Sequence, residues 1–193
     1  MRSHVTSEKE TEIMLARAGV LLFTAFCSVC THAQTITVAG GETIRVATEH
    51  DYARAEINFS WKPELWRNEN WNLSSNYAVS IAGFSDKNNV YLVSLSPNLI
   101  LTPADRSGWY PYLQFGIGIA LLSDDKFESE DLDPEDDGFS DMGSYAQFET
   151  SLALGLARHQ LSARIKVYHL SNAGLAEPNG GMDVAELGIS YSF

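Results

Sequence analysis

The sequence predicts an all-β chain, an eight-stranded antiparallel transmembrane β-barrel of the outer-membrane type over residues 34–193. Three observations carry that prediction. Hydrophobicity alternates with a period of two after residue 33. No stretch there approaches the ~18 consecutive apolar residues of a membrane helix. In each alternating segment one face is bulky and apolar, while the other mixes small residues with charges.

Residues 1–33 are read as a signal peptide. Ala18 to Cys30 is apolar, follows Arg17 and precedes Thr31-His32-Ala33. A short apolar run between a basic flank and small residues marks an export signal, and it falls short of the ~20 residues a spanning helix needs. Cleavage is placed after Ala33, and Met14 is an alternative start. Both cysteines, Cys27 and Cys30, lie in this segment, so residues 34–193 carry no thiol and no disulfide. Its three bases (Arg2, Lys9, Arg17) and three acids (Glu8, Glu10, Glu12) cancel, leaving the net charge of -12 unchanged. That acidity excludes a general nucleic-acid binder, which needs a basic footprint.

The strands follow in order. The first, Thr35 to Val46, is weakened by Gly40-Gly41. Tyr52 to Trp61 sets Ala53, Ala55, Ile57, Phe59 and Trp61 against Arg54, Glu56, Asn58 and Ser60. Asn76 to Phe84, Val90 to Leu101 and Tyr110 to Leu122 alternate in the same way. So do Tyr145 to Ala157, Leu161 to Ser171 and Ala185 to Phe193. Strands of ~9–11 residues suit a membrane barrel.

A secreted soluble barrel would turn its apolar face inward. A small lumen has room for Gly, Ala, Ser and mutually paired charges, but not for every bulky side chain. The charges Arg54, Glu56, Glu149, Arg164, Lys166 and Glu186 are therefore assigned to the lumen and the apolar faces to lipid. The tail Leu187, Ile189, Tyr191, Phe193 resembles the C-terminal signature of outer-membrane barrels. An even strand count puts both termini on the periplasmic side. Trp61, Trp66, Trp71 and Trp109 then fall at that end, as an interfacial aromatic girdle.

The longest loop, Ser123 to Ser144, lies on the opposite side and carries ten acids against Lys126. It reads as a mobile, solvated loop, or alternatively as a carboxylate-rich cation site bridging to lipopolysaccharide phosphates.

The chemistry sits at the end of the seventh strand. Residues two apart on a strand share a face, so His169 and Ser171 continue the lipid-facing series Leu161, Ala163, Ile165, Val167. A serine hydroxyl becomes nucleophilic when a neighbouring base takes its proton and an acid orients that base. Asp183 has the outward parity of the last strand. Glu186 has the lumen parity, and Glu177 in the intervening loop is the weaker rival. Asn172 and nearby backbone N–H groups are candidates for stabilising an oxyanion. His4, His32, His50 and His159 have no comparable setting.

His169-Leu170-Ser171-Asn172-Ala173-Gly174-Leu175, followed by Pro178-Asn179-Gly180, resembles the active-site signature of the lipid A 3-O-deacylase family. A weaker likeness covers 34–193, including the strand ending at Trp61 and the Phe115 to Ile119 run. The resemblance implies an eight-stranded outer-membrane barrel with a Ser-His-Glu triad. Such a barrel removes the 3-position acyl chain of lipid A from lipopolysaccharide in the outer leaflet, without metal or organic cofactor. It implies Ser171 as nucleophile, His169 as base, and an oxyanion hole at Asn172 and Gly174. The family's Glu falls on Asp183, one methylene shorter. The alternatives are a non-catalytic structural or adhesion barrel and an outer-membrane esterase or phospholipase of other substrate.

Overall fold

The computed structural model describes residues 34–45, 51–128 and 139–193. The signal-peptide segment 1–33, with its alternative start, lies outside the described residues, as does the side chain of Trp61. Ten strands are present among the described residues: β1 (Thr35–Arg45), β2 (Asp51–Arg67), β3 (Trp71–Ser85), β4 (Asn89–Pro103), β5 (Tyr110–Leu122), β6 (Lys126–Glu128), β7 (Phe139–Asp141), β8 (Ala146–Arg158), β9 (Leu161–Ser171) and β10 (Met182–Ser192). Eight of them close an antiparallel barrel in the order β1-β10-β9-β8-β5-β4-β3-β2. Closure pairs every backbone edge, which a lipid environment demands. β1 pairs with the last strand, β10, on one side and with β2 on the other, both through Gly40-Gly41. A Cβ on Gly41 would collide with the Ala185 carbonyl, so the glycine that blurs the sequence pattern is what lets β10 approach.

The faces sort as expected. Val38, Ile81, Val93, Ile119, Leu154, Ile165, Leu187 and Ile189 are exposed on the outer wall. Arg54, Glu56, Glu149, Arg164, Lys166 and Glu186 are all buried in the lumen. Three bases meet three acids there. Arg164 bonds Glu56 at 2.9 Å and Glu186 at 3.0 Å, Arg54 bonds Glu149 at 2.5 Å, and Lys166 lies 3.5 Å from Glu56. The strands without a charged member contribute amides and hydroxyls, such as Asn98 Nδ2 donating to Asn76 Oδ1 at 2.9 Å. Trp66, Trp71 and Trp109 are exposed at the barrel end that carries Gln34 and Phe193.

Two features depart from the sequence reading. β2 and β3 run further than the alternation indicates, because irregular pairing beyond Ser60 carries the hairpin on to Arg67 and Trp71. The acidic loop, expected to be solvated throughout, has structured stems: β6 and β7 pair as a short hairpin. Phe127 and Met142 from these stems enter the barrel mouth. There they join Tyr52, Phe84, Val90, Leu92, Leu122, Tyr168, Leu170, Met182 and Val184 in a buried apolar cluster. Phe127 meets Phe84 edge-on at 5.3 Å. Asn88 clamps the hairpin, donating to the Lys126 carbonyl and accepting from the Glu128 N–H. The lumen thus has an apolar lid above its charged middle, where the sequence suggested only small and charged groups. The physical reason is the inserted hairpin, which excludes water and makes bulky apolar residues favourable there. The acids of 129–138 lie outside the described residues.

Candidate active site

β9 ends at Ser171 and β10 begins at Met182, so the loop between them, 172–181, opens at the mouth end, opposite the termini. Asp183 falls inside β10, two residues before the strand expected from the sequence begins, and pairs in register with His169. Both side chains project from the outer wall, and Ser171 lies on the same wall two residues beyond His169. His169 Nδ1 donates to Asp183 Oδ1 at 2.6 Å. That is a short N–H···O contact, just under the ~2.7–2.9 Å of charge-assisted bonds of this type. The direct cross-strand position explains how the shorter acid reaches: no extra methylene is needed to span adjacent strands. The imidazole is 43% exposed and the carboxylate 19%, a half-sheltered pair at the barrel rim.

With Nδ1 engaged, the imidazole has Nε2 without a hydrogen-bond partner among the described residues. The Ser171 hydroxyl makes no hydrogen bond to it in this structure. Glu186, the acid of opposite parity, is buried in the lumen on Arg164. Glu177 is exposed in the loop, as is His159 in the turn after β8.

Asn172 does something the sequence did not suggest. It is buried, and its side chain organises the loop. Oδ1 accepts from Gly174 N–H at 2.9 Å, while Nδ2 donates to the Met142 carbonyl at 2.9 Å and the Ala176 carbonyl at 3.0 Å. Its own N–H reaches Asn179 Oδ1 at a long 3.3 Å. Gly180 N–H donates to the Asp141 carbonyl at 3.3 Å. The hairpin that plugs the mouth is therefore laced to the loop after the serine. Ala173 holds a left-handed φ of 56°, a strained conformation for a residue with a Cβ. The amide donors of Asn172 and the N–H of Gly174 are thus already engaged. None of this was legible, because Met142 lies 30 residues away in sequence.

Below the pair, the outer wall carries an apolar concavity of about 850 Å³ across β5, β8, β9, β10 and β1. Pro111, Leu154, Ile165, Leu187 and the small residues Gly40 and Ala163 line it.

A closed barrel with an apolar wall, a lumen whose charges are paired and a carboxylate–imidazole pair on the lipid side defines an integral outer-membrane barrel. The family model for lipid A 3-O-deacylase (PagL) matches residues 51–192, and the chain belongs to that family. A curated relative, lipid A deacylase PagL of Bordetella bronchiseptica, is 26% identical over 174 residues, covering 85% of this chain and 89% of its own. The crystal structure of the outer membrane enzyme PagL superposes with a TM-score of 0.71 at 21% identity, covering 82% of this chain and 99% of that one; this likeness is one of fold. Neisserial surface protein A matches with a TM-score of 0.48 at 12% identity, covering 82% and 95%. The chain is accordingly a lipid A 3-O-deacylase of the outer membrane.

Proposed function

We propose that deacylation proceeds by serine chemistry at Ser171, His169 and Asp183. His169 Nε2 takes the hydroxyl proton as Ser171 Oγ attacks the carbonyl carbon of the 3-position ester. The tetrahedral intermediate collapses, and the same proton passes to the departing sugar oxygen. Water, deprotonated by His169, then attacks the acyl-enzyme and releases a 3-hydroxy fatty acid with Ser171 restored. Asp183 holds the imidazole and stabilises its cationic form.

The observation that carries this reading is the 2.6 Å contact between His169 and Asp183 on the wall that also bears Ser171. Position supports it further. An ester at the headgroup boundary meets the outer wall directly, and the apolar concavity below suits the attached acyl chain. For the oxyanion, the Asn172 side chain and the Gly174 N–H are engaged within the loop, which makes the Ala173 N–H the better donor of the 172–174 turn. Asn172 and Gly174 then serve by shaping that turn.

Mass spectrometry of lipid A from cells producing the wild type and Ser171→Ala tests the assignment. The wild type is expected to remove one 3-hydroxyacyl group and the variant none. A variant that still deacylates lipid A refutes the serine mechanism. Phospholipid hydrolysis with intact lipid A would point to another esterase specificity.

A further inference from the structure

We infer that Gly181 is a positioning residue for the reaction: its missing side chain keeps the Nε2 edge of His169 open to the serine proton. This rests on His169 acting as the base. Gly181 is buried immediately before β10, with a left-handed φ of 62°. A Cβ there would lie 3.0 Å from His169 Cε1 and 3.5 Å from Nε2. The first distance is below ordinary van der Waals contact, so either the ring or the loop must move.

Neither has free play. The ring is tied at Nδ1 to Asp183 at 2.6 Å, so turning away from the Cβ strains or breaks that bond. On the chain side, Met182 is fully buried in the mouth cluster and Gly180 is bonded to the Asp141 carbonyl. The Leu170 carbonyl would lie 3.6 Å from the same Cβ, already in van der Waals contact on that side. The added methyl therefore displaces the imidazole on the side where the proton is exchanged. Displacements of this size are felt chiefly in the chemical step.

Two requirements converge on this glycine, and two substitutions separate them. Gly181→Ala adds both backbone strain and the Cβ. Gly181→Asn adds the Cβ, but Asn tolerates the left-handed region. Purified variants are compared with the wild type in mixed micelles of lipid A. Both are expected to lose about tenfold in kcat with KM within about twofold, less than the ~100-fold of a 1 Å misplacement because relief takes a smaller shift. Both are also expected to react correspondingly slowly with a fluorophosphonate at Ser171, while migrating as heat-modifiable, folded barrels.

Recovery of wild-type kcat in Gly181→Asn alone would assign the effect to backbone strain and overturn the inference. A rise in KM with kcat unchanged would assign it to substrate binding and overturn it equally. Failure of both variants to fold would make Gly181 a folding residue, also against the proposal. Failure of the serine reading itself is distinguished by Ser171→Ala, whose persistent activity would remove the base along with the residue that positions it.

Discussion

Replacing Asp183 by Asn tests the acid with the least disturbance. Size is kept, and the Asn amide oxygen still accepts from His169 Nδ1–H. What disappears is the charge that stabilises the imidazolium formed in the transition state. With the ring and carboxylate charge centres ~4 Å apart and an effective dielectric of ~20, that attraction is about 4 kcal/mol, or about 1,000-fold in rate. The side chains are 43% and 19% exposed. Water screening at such a site brings the attraction towards about 2 kcal/mol, or about 30-fold. Asp183→Asn should therefore lower kcat by between about 30- and 1,000-fold, with KM little changed. The assay is release of 3-hydroxy fatty acid from purified lipid A in detergent micelles, with barrel folding checked by heat-modifiable migration. A folded variant within threefold of wild-type kcat would refute the role of the carboxylate.

Two further outcomes are expected. Asn172→Asp keeps the acceptor for Gly174 N–H but loses both donors, leaving the Met142 and Ala176 carbonyls facing a carboxylate. It should cost about 1–3 kcal/mol in stability and lower kcat at least tenfold, measured by urea unfolding in vesicles and by turnover. Arg164→Leu leaves Glu56 and Glu186 sharing fewer cations in a buried lumen. The loss expected is about 3–5 kcal/mol, read as a lower unfolding midpoint, with the site geometry on the opposite face preserved.

Strand parity made much of the site readable from residues alone. His169, Ser171 and Asp183 share a wall because the side-chain period of a strand is two, and the same rule sends Glu186 inward. The lumen charges were readable for the same reason, since a membrane barrel has nowhere else to put them. Other parts had no local signal. β6 and β7 are three residues each, too short for any period to show, so Phe127 and Met142 gave no hint of entering the mouth. The apolar lid uses residue types that also suit the lipid face, so composition could not separate them. Asn172 looked like a donor for the reaction because its partner carbonyl comes from a different loop, and pairing at that separation is a property of the closed barrel. Gly181 stood in a run of turn-forming residues where one more glycine carried no distinguishing mark.

The mouth lid also determines how the enzyme's rates must be written. With the mouth of the lumen filled by Phe127, Met142 and their neighbours, and the proposed site on the wall, substrate reaches Ser171 sideways through the leaflet. Encounter is then a two-dimensional event. Its frequency depends on the mole fraction of lipid A among surrounding lipids, whatever the amount suspended in bulk. Diluting the substrate with inert detergent at constant total lipid A should slow turnover as surface concentration falls. The released fatty acid, left in the same plane, competes for the wall it came from.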